Sequence, residues 1–455
     1  MPKLSRNRLA SLTESERATY AETHPRSAEL YASAEHLFGR VPMTWMNMWS
    51  GGFPLYLDRA WGNRVLDVDG HEYVDFAMGD TGAMAGHSPR ATVDAVTRRI
   101  GDLGGITTML PTADAEWVGA ELTRRFGLPL WSFTLTATDA NRWAIRLARL
   151  ATSRPKVLTF AYCYHGSVDE AFAVPGPNGE AVARAGLVGA PVPLDATTRV
   201  CEFNDLEAVE KQLAHGDVAA VLTEPALTNI GIVLPEPGFL SGLRDLATEY
   251  GALLMIDETH TFSAGPGGAT RAWDLEPDIL VIGKSIGGGI PSGAYGITPE
   301  VAALIEQDPL ADLEDVGGVG GTLAGNALSV AAMRATLEHV LTDAAFESMT
   351  ALATEFTSGV QDTIDRTGLP WSISRLGARA EYRFTSPPPR DGSTSAACAD
   401  EELDEFLHLY LANRGVLITP FHNMALMCPD TTEDDVALHT RLFGDAVDAL
   451  LGAGA

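Results

Sequence analysis

Residues 278–295, DILVIGKSIGGGIPSGAY, constrain this chain more than any other stretch. Residues 278–283 are a short apolar run rich in β-formers, which reads as a buried strand. Lys284 sits at its carboxyl end, and three glycines and a proline then stop any regular element. A strand end opening into a glycine-rich loop is where open α/β sheets bind ligands. The chain holds four lysines, Lys3, Lys156, Lys211 and Lys284. Only Lys284 has an apolar strand behind it and a permissive loop ahead. A desolvated lysine can attack a carbonyl as the free amine.

At 455 residues the chain exceeds the size at which one core stops growing, so at least two subdomains are expected. Sixty acidic against 32 basic residues leave a formal charge of −28. No basic cluster follows a phosphate backbone, so nucleic acid is not an expected partner. The cysteines Cys163, Cys201, Cys398 and Cys428 have no CxxC spacing, which fits a reducing cytoplasm and supplies no metal framework. The first 20 residues are polar rather than a signal peptide, and no apolar run approaches membrane-spanning length.

Residues 4–37 have the period of surface helices. Residues 43–49, MTWMNMW, read either as a packed entry segment or as a pocket wall, since Met and Trp serve both. Residues 54–76 alternate with period two around Asp69-Gly70, a hairpin signal. From about residue 85, apolar strands at 156–160, 218–223, 252–257 and 278–283 alternate with amphipathic helices such as 240–250. That alternation predicts a mostly parallel sheet covered by helices. Helices 327–341 and 343–367, a strand at 379–384 and a helix at 401–414 predict a smaller α+β domain. Between them, 385–397 reads as a Pro/Ser-rich surface excursion with no chemistry. The expected domains are therefore 1–85, 86–325 and 326–455.

Asp257 closes the strand at 252–257. A carboxylate at a buried strand end is costly unless it faces a positive partner, such as a protonated pyridine nitrogen. Alone, it would equally read as a turn cap. Thr136, Ala137, Thr138 and Asp139 precede a helix at 140–150, where small hydroxyl residues cap free N–H groups or bind phosphate. Tyr164 follows the strand at 156–160 and offers a ring that could stack on a flat cofactor. Glu224 closes the strand at 218–223.

Taken in order, TATDANRWAIRLAR, CYHGS, FND, EPALTNIGIVLP, LLMIDE, GKSIGGGIPSGAYG and GGTLAGNALS resemble the class III, fold-type I aminotransferases that use pyridoxal phosphate. The resemblance runs from about Gly51 to the C-terminus. It is most specific to the branch holding glutamate-1-semialdehyde aminomutases and transaminases of β-amino acids and amines. It implies an α/β fold with a large domain built on a seven-stranded, mostly parallel sheet, plus a smaller α+β domain. Lys284 would then form the Schiff base with the cofactor and move the substrate proton. Asp257 would pair with the ring nitrogen, Tyr164 and Thr259 would lie on its two faces, and Glu224 near its hydroxyl side. Ala137 and Thr138, beside Thr136, would hold the phosphate, and Thr322 would reach the phosphate of a neighbouring subunit in a homodimer.

Two departures stand out. The family's SGTE phosphate loop is here Thr136-Ala137-Thr138-Asp139, after Leu135 in place of an asparagine. Relatives that act on carboxylated substrates tend to carry arginine six residues before Gly51, and this chain has Trp45. Arginine holds a carboxylate by a bidentate pair and tryptophan cannot. Met43 and Trp45 are therefore expected to line an apolar substrate wall. Arg40, Arg379, Arg383 and Arg414 are the candidates for any carboxylate, with Arg414 named as substrate-binding. The leading expectation is a ping-pong transaminase for amines or hydrophobic β-amino acids, with glutamate-1-semialdehyde 2,1-aminomutase as the alternative. A nucleotide-binding reading of the GGG loop fails, because a Walker lysine follows its glycines and Lys284 precedes them.

Overall fold

A computed structural model describes residues 4–189, 192–307 and 319–452. By contact density the chain divides into two compact units. Of the described residues, one comprises 89–189, 192–307, 319–346 and 389–397, and the other 4–88, 347–388 and 398–452. The boundaries thus fall at 88/89 and 346/347, against the expected 85/86 and 325/326. Helix Ala327–His339 belongs with the larger unit, where its Thr336 hydroxyl meets that of Thr92 at 2.8 Å.

The larger unit is built on a seven-stranded sheet: β1 Leu130–Thr134, β2 Lys156–Phe160, β3 Thr198–Cys201, β4 Val218–Thr223, β5 Leu253–Asp257, β6 Ile279–Gly283 and β7 Gly293–Ile297. Their spatial order is β1-β7-β6-β5-β4-β2-β3. All neighbouring pairs are parallel except the two made by β7, which runs antiparallel to β6 and to β1. Strands β4 and β6 are buried along their whole length, as expected for a sheet covered on both faces.

Helix Ala137–Thr152 starts where the Thr136 hydroxyl accepts the Asp139 backbone N–H at 3.1 Å. It buries Ala140, Trp143, Ala144, Leu147 and Ala148, one stripe at helical spacing. Helix Phe239–Glu249 buries Phe239, Leu243 and Ala247 in the same way.

Strand β7 is the chief surprise of the sheet, because its sequence GAYGI reads as part of the glycine loop. Its glycines serve packing instead. A Cβ on Gly293 would lie 2.4 Å from the Thr134 hydroxyl, and one on Gly296 would lie 2.9 Å from the Trp131 ring. Residues 385–397 also depart from expectation. Helix Gly392–Ala397 packs on the larger unit, where a Cβ on Gly392 would come within 2.0 Å of the Ala161 carbonyl. The Ser395 hydroxyl donates to the Ile230 carbonyl, and Asn204 donates to that of Arg390 at 2.8 Å. Much of the segment is exposed, as its polar composition suggested, but Gly392 and Ser395 are buried.

In the smaller unit, strands Leu57–Trp61, Arg64–Asp67 and Glu72–Asp75 form an antiparallel meander, which Val416–Leu417 extends in parallel. A second sheet holds Ser372–Leu376, Arg379–Arg383 and Met424–Leu426. Among the described residues, no helix is long and apolar enough to cross a membrane.

Candidate active site

The register of the larger sheet gathers the chemistry at one edge. Asp257, the last residue of β5, pairs with Val281 of β6, and Lys284 follows three residues later. Thr223, which ends β4, pairs with Ile256, so Glu224 emerges at the same edge. Gly293 pairs with Gly283 on one side and Thr134 on the other, which levels the turn at 135–136 with Lys284. A Cβ on Gly283 would lie 2.9 Å from that of Ala137. The helix start at Ala137 therefore packs directly against the residue before the lysine.

Lys284 is half-buried and sits at φ 51°, in the left-handed region. A side chain there costs on the order of 1–2 kcal/mol, so the surrounding packing must hold it. Its Nζ is 2.9 Å from Nε2 of the buried His260.

Asp257 is buried and satisfied by three donors. Its Oδ2 accepts from Asn141 at 2.8 Å and from the His165 ring Nδ1 at 2.9 Å, and its Oδ1 accepts the Thr259 backbone N–H at 3.0 Å. Burial pushes this carboxyl up, but the hydrogen bond and charge of His165, with the bonds from Thr259 and Asn141, outweigh it and hold it below the usual range. Burial works the other way on His165, and there Cys163 and Asp257 raise the imidazole well above its ordinary value. The two groups thus face each other in the interior, each favouring the charged form of the other.

The Thr138 hydroxyl accepts the Ser167 backbone N–H at 3.2 Å. Gly166, at φ 74°, lies so close that a Cβ on it would be 2.1 Å from that hydroxyl. The turn carrying Tyr164 and His165 is thereby pressed onto the helix start. Tyr164 meets Phe172 edge-on, with ring centroids 6.2 Å apart. Thr259 is buried, and its hydroxyl has no hydrogen-bond partner among the described residues. Buried Glu224 accepts from the Thr228 hydroxyl. Thr322 is exposed and lines a cavity of about 560 Å³ with residues 106–111.

One unit therefore brings together Lys284, Asp257, Thr136, Ala137, Thr138, Tyr164, Thr259 and Glu224. Met43 and Trp45 belong to the other unit, where Met43 is exposed and the Trp45 ring meets Phe421 edge-on at 5.8 Å. Arg414, expected to bind substrate, also lies in that other unit. Its guanidinium lies 3.4 Å over the Tyr410 ring and donates twice to the Glu16 carboxylate at 2.9 Å, tying helix Arg6–Thr23 to the end of helix Glu401–Ala412. Asn141, His165 and His260 were not singled out from the sequence, although each lies in or beside a motif that was.

The family model of class III aminotransferases matches residues 45–441. The chain belongs to that family. This class III aminotransferase is 35% identical to the glutamate-1-semialdehyde 2,1-aminomutase of Roseiflexus castenholzii over 87% of its own length and 90% of the relative's. Among solved structures, the glutamate-1-semialdehyde aminomutase of Pseudomonas aeruginosa PAO1 is 48% identical. It superposes with a TM-score of 0.95, covering 98% of this chain and 99% of that one. An ω-transaminase from Sphaerobacter thermophilus follows at 29% identity and TM-score 0.85, covering 93% and 97%.

Family and fold make this a pyridoxal-phosphate-dependent enzyme, and the donor set fits that cofactor. An ionised, buried carboxylate suits a pyridinium nitrogen. The Thr259 hydroxyl is buried with no hydrogen-bond partner among the described residues, and a capped helix start abuts the lysine, where free N–H groups suit a phosphate. Replacing the usual loop glycine by Ala137 leaves that helix start intact.

Proposed function

We propose that the enzyme moves amino groups through Lys284, and that its first substrate to test is glutamate-1-semialdehyde, rearranged by a 2,1-amino shift. The observation that carries this reading is the 48% identity and 0.95 TM-score with the Pseudomonas aeruginosa aminomutase over nearly the whole chain. It was the alternative reading of the sequence, and the relatives weigh toward it. Bound pyridoxal phosphate would supply an electron sink and a store for the amino group between half-reactions.

The chain's own residues divide the remaining work. Asp257 presents a negative charge that His165 and Asn141 keep ionised, so a protonated ring nitrogen would be favoured there. Ala137 and Thr138, capped by Thr136, offer backbone and hydroxyl donors for a phosphate. Tyr164 and Thr259 would take the two ring faces, and Glu224 the side nearer the ring hydroxyl. Lys284 would hold the cofactor and carry the substrate proton on Nζ.

A second reading, a transaminase of amines or hydrophobic β-amino acids, rests on Trp45 standing where carboxylate-handling relatives tend to have arginine. The likeness to the ω-transaminase supports it at lower identity. We further propose a cytoplasmic homodimer in which Thr322 serves the partner's phosphate site.

The test is to incubate the loaded enzyme with glutamate-1-semialdehyde and no added keto acid. Appearance of an isomer of unchanged mass supports the aminomutase. Turnover only when an amine donor and a keto acid are both supplied would replace it with the transaminase. Borohydride reduction should label Lys284 in the wild type and nothing in Lys284→Ala; label elsewhere would overturn both readings.

A further inference from the structure

His260 lies three residues past Asp257 in the turn that leaves β5, and it is buried. That turn is tied to the neighbouring strand, because the Glu258 N–H donates to the Val281 carbonyl at 2.8 Å. It is closed on itself by the Phe262 N–H donating to the Glu258 carbonyl at 2.8 Å. The strand pair that aligns Asp257 with Lys284 therefore also sets where His260 stands.

His260 Nε2 and Lys284 Nζ are 2.9 Å apart. A nitrogen pair at that separation holds one proton between them: the ammonium donates to the ring lone pair, or the ring N–H donates to the amine. Along the same edge Asp257 accepts from His165 and Asn141, Glu258 from Thr261, Ala269 and Thr270, and Glu224 from Thr228.

We propose that His260 is the proton acceptor for Lys284. The Nζ–H bond breaks with its electron pair staying on nitrogen, and an Nε2–H bond forms from the imidazole lone pair. One positive charge moves from the amine to the ring. Lys284 is left neutral, able to add to a carbonyl with loss of water, and the ring proton is available to return. A short side chain such as alanine or an amide cannot do this. The inference rests on the reading of Lys284 as the carbonyl-binding amine.

The experiment measures how fast the apoprotein, mixed with pyridoxal phosphate, develops its visible absorbance band. Wild type, His260→Ala and His260→Gln are compared, each with and without added imidazole. Both variants should colour slower by on the order of 10–100-fold. Imidazole should restore the rate of His260→Ala, whose pocket is open, and not that of His260→Gln. Wild-type rates in both variants overturn the proposal. So does an alanine variant that imidazole does not rescue, or a fast glutamine variant, which would mean His260 only fills space. Absence of a band and of borohydride label in the wild type would instead bring down the reading of Lys284.

Discussion

Asp257 and His165 illustrate how a single buried pair sets both chemistry and stability. The folded carboxyl lies below its ordinary value, so its contribution is present above the ordinary carboxylate range and is lost as pH falls through the depressed folded value. The folded imidazole lies above its ordinary value, so its contribution is complete below that value and is lost as pH rises through the raised one. The pair therefore stabilises most across the window between, which includes neutral pH. His165→Leu leaves a buried carboxylate without its ionic partner and should cost on the order of 3–5 kcal/mol there. Chemical melts of both proteins from acid to alkaline pH will check it. The gap should be widest near neutrality and close at both ends, and a gap independent of pH would contradict the ionised pair. From the sequence, Asp257 and Lys284 were legible because each ends an apolar strand. Their partners were not, since His165 and Asn141 reach Asp257 across 92 and 116 residues of chain.

Among elements, the start of helix Ala137–Thr152 is the part most exposed to disturbance. It is gripped by Gly283 on one side and Gly166 on the other, and neither has room for a methyl group. Gly166→Ala adds a left-handed backbone penalty to a clash with Thr138. It should push the Tyr164–His165 turn off the helix and weaken pyridoxal phosphate binding roughly tenfold or more, since 1.4 kcal/mol is already a factor of ten. Titration of the apoprotein with cofactor measures this, and unchanged affinity would remove the helix start from the phosphate site. Four of the seven strands were legible as apolar runs. Strand β7 was hidden because its glycines carry no β signal; they are needed only because Thr134 and Trp131 stand beside them. The helix within 385–397 was hidden for a similar reason, its Ser395 hydroxyl being satisfied by the Ile230 carbonyl and its Ser393 hydroxyl by Glu202.

For the whole molecule, the surface around Thr322 bears on assembly. Met109 and Leu110 are 85% and 71% exposed along the cavity that Thr322 lines, with Leu323 also exposed. Large apolar side chains grouped in this way mark an interaction surface. We expect a second copy of the chain to cover them. Leu110→Glu should shift the protein toward monomer in sedimentation velocity and lower its cofactor affinity together. A wild type that is monomeric and fully loaded would rule out the shared site.

The sequence by itself determined the family and the cofactor, and it placed Asp257 and Lys284 at the ends of neighbouring apolar strands. These follow from local signals: apolar runs, glycine loops and motifs of a few residues in a fixed order. Only the tertiary structure decided that His260 meets Lys284, that His165 and Asn141 hydrogen-bond Asp257, that β7 is a strand, and that Arg414 is tied to Glu16. Each of those depends on which distant segments the sheet register and packing bring within about 3 Å, the range of a hydrogen bond, and no local pattern encodes that.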